Sequence, residues 1–188
     1  MAKKKIAKTL LVGLGGTGNL ALKYAKKRFY EMYGEGKPFS EFELPLIEYL
    51  ALDTSIDDLK LGVGSSDQFG LKQSEYHHLK VSRPRQVLKG APFIEKEWMP
   101  KKNLKTLSAI EAGAGQIRAF GRLGLMNNYQ KVKDIVQSKV NKLNSYKQIQ
   151  NPDYEAMGGA VNIVFCFSVA GGTGSGTFLD MAYLIKDC

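Results

Sequence analysis

Two stretches of this 188-residue sequence share one grammar: a hydrophobic run, then Gly-Gly-Thr-Gly, then a second hydrophobic run at helical spacing. The first is Gly13-Leu-Gly-Gly-Thr-Gly18, which follows Thr9-Leu-Leu-Val12. The second is Ala170-Gly-Gly-Thr-Gly-Ser-Gly-Thr177, which follows the apolar run Val161 to Val169. Glycine admits φ > 0 and puts no Cβ in the path of a bulky anion. A helix that begins at such a loop aims unpaired N–H groups and the positive end of its dipole at the same point. Thr17, Thr173 and Ser175 add hydroxyl donors. The chemistry this pattern serves is the holding of phosphate. One such loop can be nothing more than a tight strand-to-helix turn, but two on parallel strands can face each other across a polyphosphate. Gly15, Gly16, Thr17 and Gly18, with Gly171, Gly172, Thr173, Gly174 and Ser175, are therefore the candidate cradle.

Other residues define what kind of phosphate site this is. Neither loop is followed by Gly-Lys-Ser/Thr, which excludes the usual Walker A form. Gly13, Gly15 and Gly18 match a dinucleotide fingerprint, yet no convincing acidic residue follows about 20 positions later. Asp53 ends the second hydrophobic run and is a magnesium candidate, because Mg²⁺ on a polyphosphate usually takes one or two carboxylates plus waters; the alternative for it is helix capping. Asp57 is a weaker candidate, better read as surface charge. Asn19 either contacts nucleotide or caps the first helix. Arg118 and Arg122, four apart, share a helix face and serve either phosphate or salt bridges. His77-His78 lacks the companions of a metal site, and Trp98 reads as a core or interface anchor.

The elements that must position these residues alternate strand and helix. Leu22, Ala25, Phe29 and Met32 recur at helical spacing after the first loop, and Gly34-Glu-Gly-Lys-Pro38 ends that helix. Leu46 to Leu52 reads as a second strand, leading through Asp53-Thr-Ser55 into a short helical turn to Leu59. Residues 62–108, punctuated by Ser65-Ser-Asp67, Arg83-Pro84, Pro92 and Pro100, are expected to be an irregular or inserted region with a short strand near Val87. Leu125, Tyr129, Val132, Val136, Val140 and Leu143 mark one long amphipathic helix, closed by Asn151-Pro152. Val161 to Val169 is expected to be a central parallel strand buried on both faces, and Phe178 to Lys186 a helix. This order predicts an α/β fold, a three-layer parallel sheet of Rossmann-like type. Ligands in such sheets bind beyond the carboxyl ends of the strands, where the glycine loops lie.

Composition narrows the class further. No apolar run approaches the roughly 20 residues of a membrane span, and no apolar stretch or cleavage site follows Lys3, Lys4 and Lys5 as a signal peptide requires. Cys166 within a strand and Cys188 at the last position are poor disulfide partners, which fits a reducing cytoplasm. The net charge of +9 leaves nucleic acid or an acidic partner open, but the lysines are spread out and lack the interleaved aromatics of a base-stacking groove.

The ordered set of loops resembles the tubulin/FtsZ superfamily. Ala170 to Thr177 is similar to its signature loop Gly-Gly-Gly-Thr-Gly-Ser-Gly, with Ala170 in place of the first glycine. Val12 to Ala21 resembles the opening loop of the bacterial division GTPase FtsZ, including Asn19. Leu52-Asp-Thr-Ser-Ile-Asp-Asp-Leu59 is similar to the second loop, where an acidic residue helps hold magnesium. Gly113-Ala-Gly-Gln116 resembles the third loop, which senses the γ-phosphate, so the resemblance adds Ala114, Gly115 and Gln116 to the site. The run through Arg118 and Arg122 looks most like a bacterial tubulin-like group. The resemblance implies GTP or GDP with Mg²⁺ as ligands, and self-association into cytoskeletal filaments or dimers. Hydrolysis is completed in the family by a neighbouring subunit. It covers the N-terminal part of the GTPase domain; the later base-binding helix and the acidic hydrolysis loop are not within these residues. The expectation is a fragment of a longer protein, competent to bind GTP weakly but not to turn it over. Two alternatives stand beside it: a Rossmann-type domain using NAD or S-adenosylmethionine, and a non-hydrolysing tubulin-fold scaffold.

Overall fold

A computed structural model of the chain describes residues 4–34, 36–64, 68–146 and 154–188. Four parallel strands form one sheet in the order β3-β2-β1-β4: β1 is Lys4–Leu14, β2 Ile47–Asp53, β3 Tyr76–His78 and β4 Tyr154–Phe167. The α/β expectation is met. The expected breaks at Ser65–Asp67 and Asn151-Pro152 lie outside the described residues.

Alternation along the strands builds two apolar layers, because successive side chains point to opposite faces. Leu10, Val12 and Leu14 of β1 and Leu50 and Leu52 of β2 face one way. There they meet Leu125 of α5 (Arg118–Asn127), Val132, Val136 and Leu143 of α6 (Tyr129–Ser145), and Met181 and Leu184 of α7 (Gly172–Lys186). Tyr49 and Ala51 face the other way, onto Leu22 of α1 (Gly15–Tyr33) and Leu59 of α2 (Ile56–Lys60). The helices thus sandwich the sheet, and the two Gly-Gly-Thr-Gly runs sit at its carboxyl-terminal edge.

Three expectations change. The stripe from Leu125 to Leu143 is two helices, broken at Asn128, whose backbone leaves the helical region (φ −109°, ψ 9°). The Asn128 side chain donates to the carbonyls of Gly124 and Lys80 at 2.8 and 3.2 Å, giving the freed backbone a local anchor. The region around Val87 is helix, α3 (Pro84–Gly90), begun by a proline in its first turn, where the missing N–H costs nothing; the short strand is Tyr76–His78 instead. Lastly, β4 is an edge strand of the described sheet. Ile163, Phe165 and Phe167 pack on the core, but Val164 is 43% exposed. An apolar run reports that both faces can be buried; it does not place neighbours on both sides.

The described residues of 62–108 are ordered. Beyond α3 they contain a π-helical turn, Ile94–Trp98, and a short helix, α4 (Lys101–Lys105). Val81, Leu88, Ile94, Met99, Leu107 and Ile110 form a core of their own, built onto Phe120 and Leu123 of α5.

Candidate nucleotide-phosphate site

The three glycine-bearing loops converge, with the turn after β2, on one cavity of about 180 Å³. Its wall includes Gly15, Gly16 and Thr17 from the start of α1, Asp53 and Asp58 beside β2, Gly113, Ala114 and Gly115 from the third loop, and Gly171 to Gly174 at the start of α7. The first and last loops touch directly. Gly15 has φ +73°, and a Cβ there would lie 3.0 Å from the Gly174 nitrogen. Gly18 is packed so closely beneath that a Cβ would come within 2.1 Å of the Cys166 carbonyl oxygen. Gly171 differs: its φ is −78° and a Cβ would meet nothing within 4 Å. Its missing side chain serves open space at the cavity rather than packing.

Side chains and backbone pin the loops to one another. Thr54 and Thr173 share a buried hydroxyl–hydroxyl hydrogen bond of 2.7 Å, tying the turn after β2 to α7. Gly113 N–H donates to Thr54 O at 3.1 Å. His78 Nε2 lies 3.0 Å from that carbonyl and 3.1 Å from the carbonyl of Glu111. The histidine thus joins the second and third loops. Sequence reasoning singled out neither Thr54 nor this role of His78, because both depend on contacts far apart in the chain.

Asp53 is 2% exposed. Its Oδ1 accepts from the N–H groups of Thr54 and Ser55 at 2.7 and 3.3 Å, and its Oδ2 accepts from Asn19 Nδ2 at 3.0 Å. Burial pushes its carboxyl above the usual aspartate range, and the charge of Asp58 adds to the rise. Asn19 is fully buried behind the cavity wall and holds Asp53; it caps nothing, since it lies inside α1. The N-cap beside β2 is Ser55, whose hydroxyl accepts from Asp58 N–H at 3.3 Å. That cap fixes the phase of α2 and brings the Asp58 carboxylate, not that of Asp57, to the cavity, 3.3 Å from where a Gly16 Cβ would stand. The Ser-x-x-Asp spacing was the available signal for it.

The electrostatics are distinctive: two carboxylates line the cavity and no lysine or arginine does. A phosphate there must be held by backbone N–H groups and helix N-termini, and the carboxylates call for a bridging cation. Among the described residues no three acidic, histidine or cysteine side chains cluster as a complete metal cage. Two carboxylates suit Mg²⁺, which keeps waters and substrate oxygens in its shell. Gln116, Arg118, Arg122 and Ser175 line a separate neighbouring cavity. Gln116 has φ +62°, and Ser175 Oγ donates back to Gly171 O. Arg122 forks onto Asp180, Nε to Oδ2 at 2.7 Å and Nη2 to Oδ1 at 2.9 Å.

The sequence profile of the family described as tubulin-like matches residues 10–188. The chain belongs to the tubulin-like family. A search of curated proteins gives no match. The all-parallel sheet with helices on both faces agrees with this family's Rossmann-like domain. Among the described residues of the tubulin-like chain, no helix is long and apolar enough to cross a membrane.

Proposed function

We propose that this tubulin-like chain binds the polyphosphate of a guanine nucleotide, GTP or GDP, between the start of α1 and the start of α7. The observation that carries the reading is the pair of Gly-Gly-Thr-Gly loops facing one cavity, with Gly171 leaving open space there. Backbone N–H groups at the two helix starts would hold phosphate oxygens, and Thr17 and Thr173 would add hydroxyls. Asp53 and Asp58 would hold Mg²⁺, which when bound supplies the positive charge that the cavity walls lack. Membership of the tubulin-like family supports guanine as the base, and supports assembly into filaments with hydrolysis completed by a neighbouring subunit. The described residues contribute the binding half of that chemistry.

Thermal unfolding with GTP, GDP, ATP and NAD, each with and without Mg²⁺, tests this. A ligand at 100 times its dissociation constant stabilises the native state by about 2.7 kcal/mol. GTP or GDP with Mg²⁺ is expected to raise the melting temperature and NAD to leave it unchanged. Gly171→Ala should melt as the parent does, since its Cβ meets nothing, yet lose the nucleotide shift. A shift with NAD but not GTP, or a full GTP shift in Gly171→Ala, would overturn the proposal.

A further inference from the structure

The net charge of +9 is unevenly distributed along the chain. Residues 80–110 carry eight lysines and arginines against two glutamates, and so supply six of those nine charges. The fold gathers several of them on one surface. Arg85, in the first turn of α3, donates to Leu104 O at 3.3 Å, which brings Lys105 at the end of α4 beside α3. Arg83 and Arg85 flank an open groove of about 290 Å³, whose wall continues through Gln86, Leu107 and Ser108. Lys89 follows Arg85 by one turn of α3 and shares its side of the helix. Arg83, Arg85, Lys89 and Lys105 are all exposed, and no carboxylate pairs with any of them among the described residues. None of the four lines the phosphate cradle or the cavity beside it.

Helix stability does not account for this arrangement. A cation in the first turn opposes the helix dipole, yet Arg85 in α3 and Lys101 in α4 both stand there, and neither first turn holds an acid. Like charges four residues apart on a helix are also unfavourable. Arg85 with Lys89 and Lys101 with Lys105 are both such pairs. We infer that the groove beside α3 seats the phosphate backbone of double-stranded nucleic acid, whatever its base sequence. Arginine forks, a serine hydroxyl and a glutamine amide are side chains that contact phosphate oxygens, and the groove wall presents all three. That wall holds no aromatic ring, so it offers no platform for the bases of a single strand. A duplex needs none, because its phosphates are held by charge alone. The surface is concave between Arg83, Arg85 and Ser108, which fits the ridge of a phosphate backbone and not a flat bilayer.

The probe is a short, fluorescently labelled DNA duplex of mixed sequence, followed by anisotropy and titrated without nucleotide so that the outcome is independent of GTP binding. Saturable binding is expected, with an affinity that falls as salt rises, linearly on logarithmic axes. Arg83→Glu/Arg85→Glu should weaken it at least about tenfold at about 0.1 M salt and make the salt slope shallower by about 2. Circular dichroism should show this variant melting no lower than the parent, because both glutamates fall at the start of α3, where acids suit the dipole. Arg83→Gln/Arg85→Gln, which removes the charges without reversing them, should change the slope alike. Lys37→Glu/Lys186→Glu, the same charge reversal on other surfaces, should leave the affinity within about twofold at about 0.1 M salt. No saturable binding, equal loss in the two charge-reversed pairs, or tighter binding of oligo(dT) than of the duplex would each overturn the inference. So would displacement of the duplex by polyglutamate or phosphatidylserine vesicles as readily as by unlabelled duplex at matched charge.

Discussion

The carboxyl of Asp53 carries a pH dependence that the fold must express. Because burial raises its pKa in the folded chain, the folded state holds this proton more tightly than the unfolded state does. Stability from this group is therefore greatest below the ordinary aspartate pKa and falls as pH rises through the raised value. Asp53→Asn removes the titration. It can keep the contact with Asn19, whose Oδ1 is buried without a partner. If the Asn19 amide turns over, that oxygen can accept from the amide introduced at position 53, while Thr54 and Ser55 keep their acceptor. Melting temperatures of parent and variant between about pH 4 and pH 8 are expected to diverge, the parent losing stability relative to the variant as pH rises. Parallel curves would mean that Asp53 does not titrate in this window. The glycines and Asp53 were legible because loop chemistry is local: strand, Gly-Gly-Thr-Gly, helix. Asp58 was harder, since choosing between two adjacent aspartates requires the phase of a five-residue helix. That phase is set by a single hydroxyl on Ser55.

Between elements, the contact of α5 with α7 sets the geometry of both cavities. It is made by backbone lying on backbone. A Cβ at Gly121 would fall 2.3 Å from Gly172 O, and one at Gly176 would fall 2.2 Å from Arg118 O. Neither neighbour can give way without moving a loop. Gly121→Ala is expected to cost about 1–3 kcal/mol or more, a drop of about 2–4 °C per kcal/mol for a chain of this size, and to weaken nucleotide binding by displacing Gly172. Gly90→Ala in α3, where a Cβ meets nothing within 4 Å, is the matched control and should be neutral or slightly stabilising. Equal melting of the two variants would show that the helices can separate freely. A second device ties α1 to the chain before β3. Lys26, buried, pairs with Glu75 at 2.5 Å and stands 5.3 and 5.5 Å from the Phe39 and Tyr49 ring centres. Periodicity located α1 and β2 within a few residues, because their apolar stripes answer to one sheet; for α7 it found only the part from Phe178 on, since the helix begins at Gly172, inside the run read as a glycine loop. It merged α5 with α6, because Leu125 and Val132 face the same core across the break at Asn128. Only the distant carbonyl of Lys80 reveals why the chain bends there.

For the molecule as a whole, the question is whether the inserted core is a separate folding unit. Its apolar residues close on Phe120 and Leu123, while Leu125, two positions further along the same helix, belongs to the core under the sheet. One ten-residue helix therefore serves both cores, and the insertion cannot bury its apolar surface if α5 melts. The sequence of residues 62–108 hid this arrangement, since short helices separated by prolines have no sustained period and take their order from α5. Trp98 emission reports the insertion and far-UV ellipticity reports the whole, so in denaturant the two transitions should coincide for the parent. Leu123→Ala deletes a fully buried side chain at the seam, at a cost of about 2–5 kcal/mol. Since Leu123 packs on the insertion and not under the sheet, the loss should fall first on the insertion. The Trp98 transition is then expected to move to lower denaturant than the ellipticity transition. Coincident curves in Leu123→Ala would show instead that the two cores fold as a single cooperative body, with the energy of the seam shared across both.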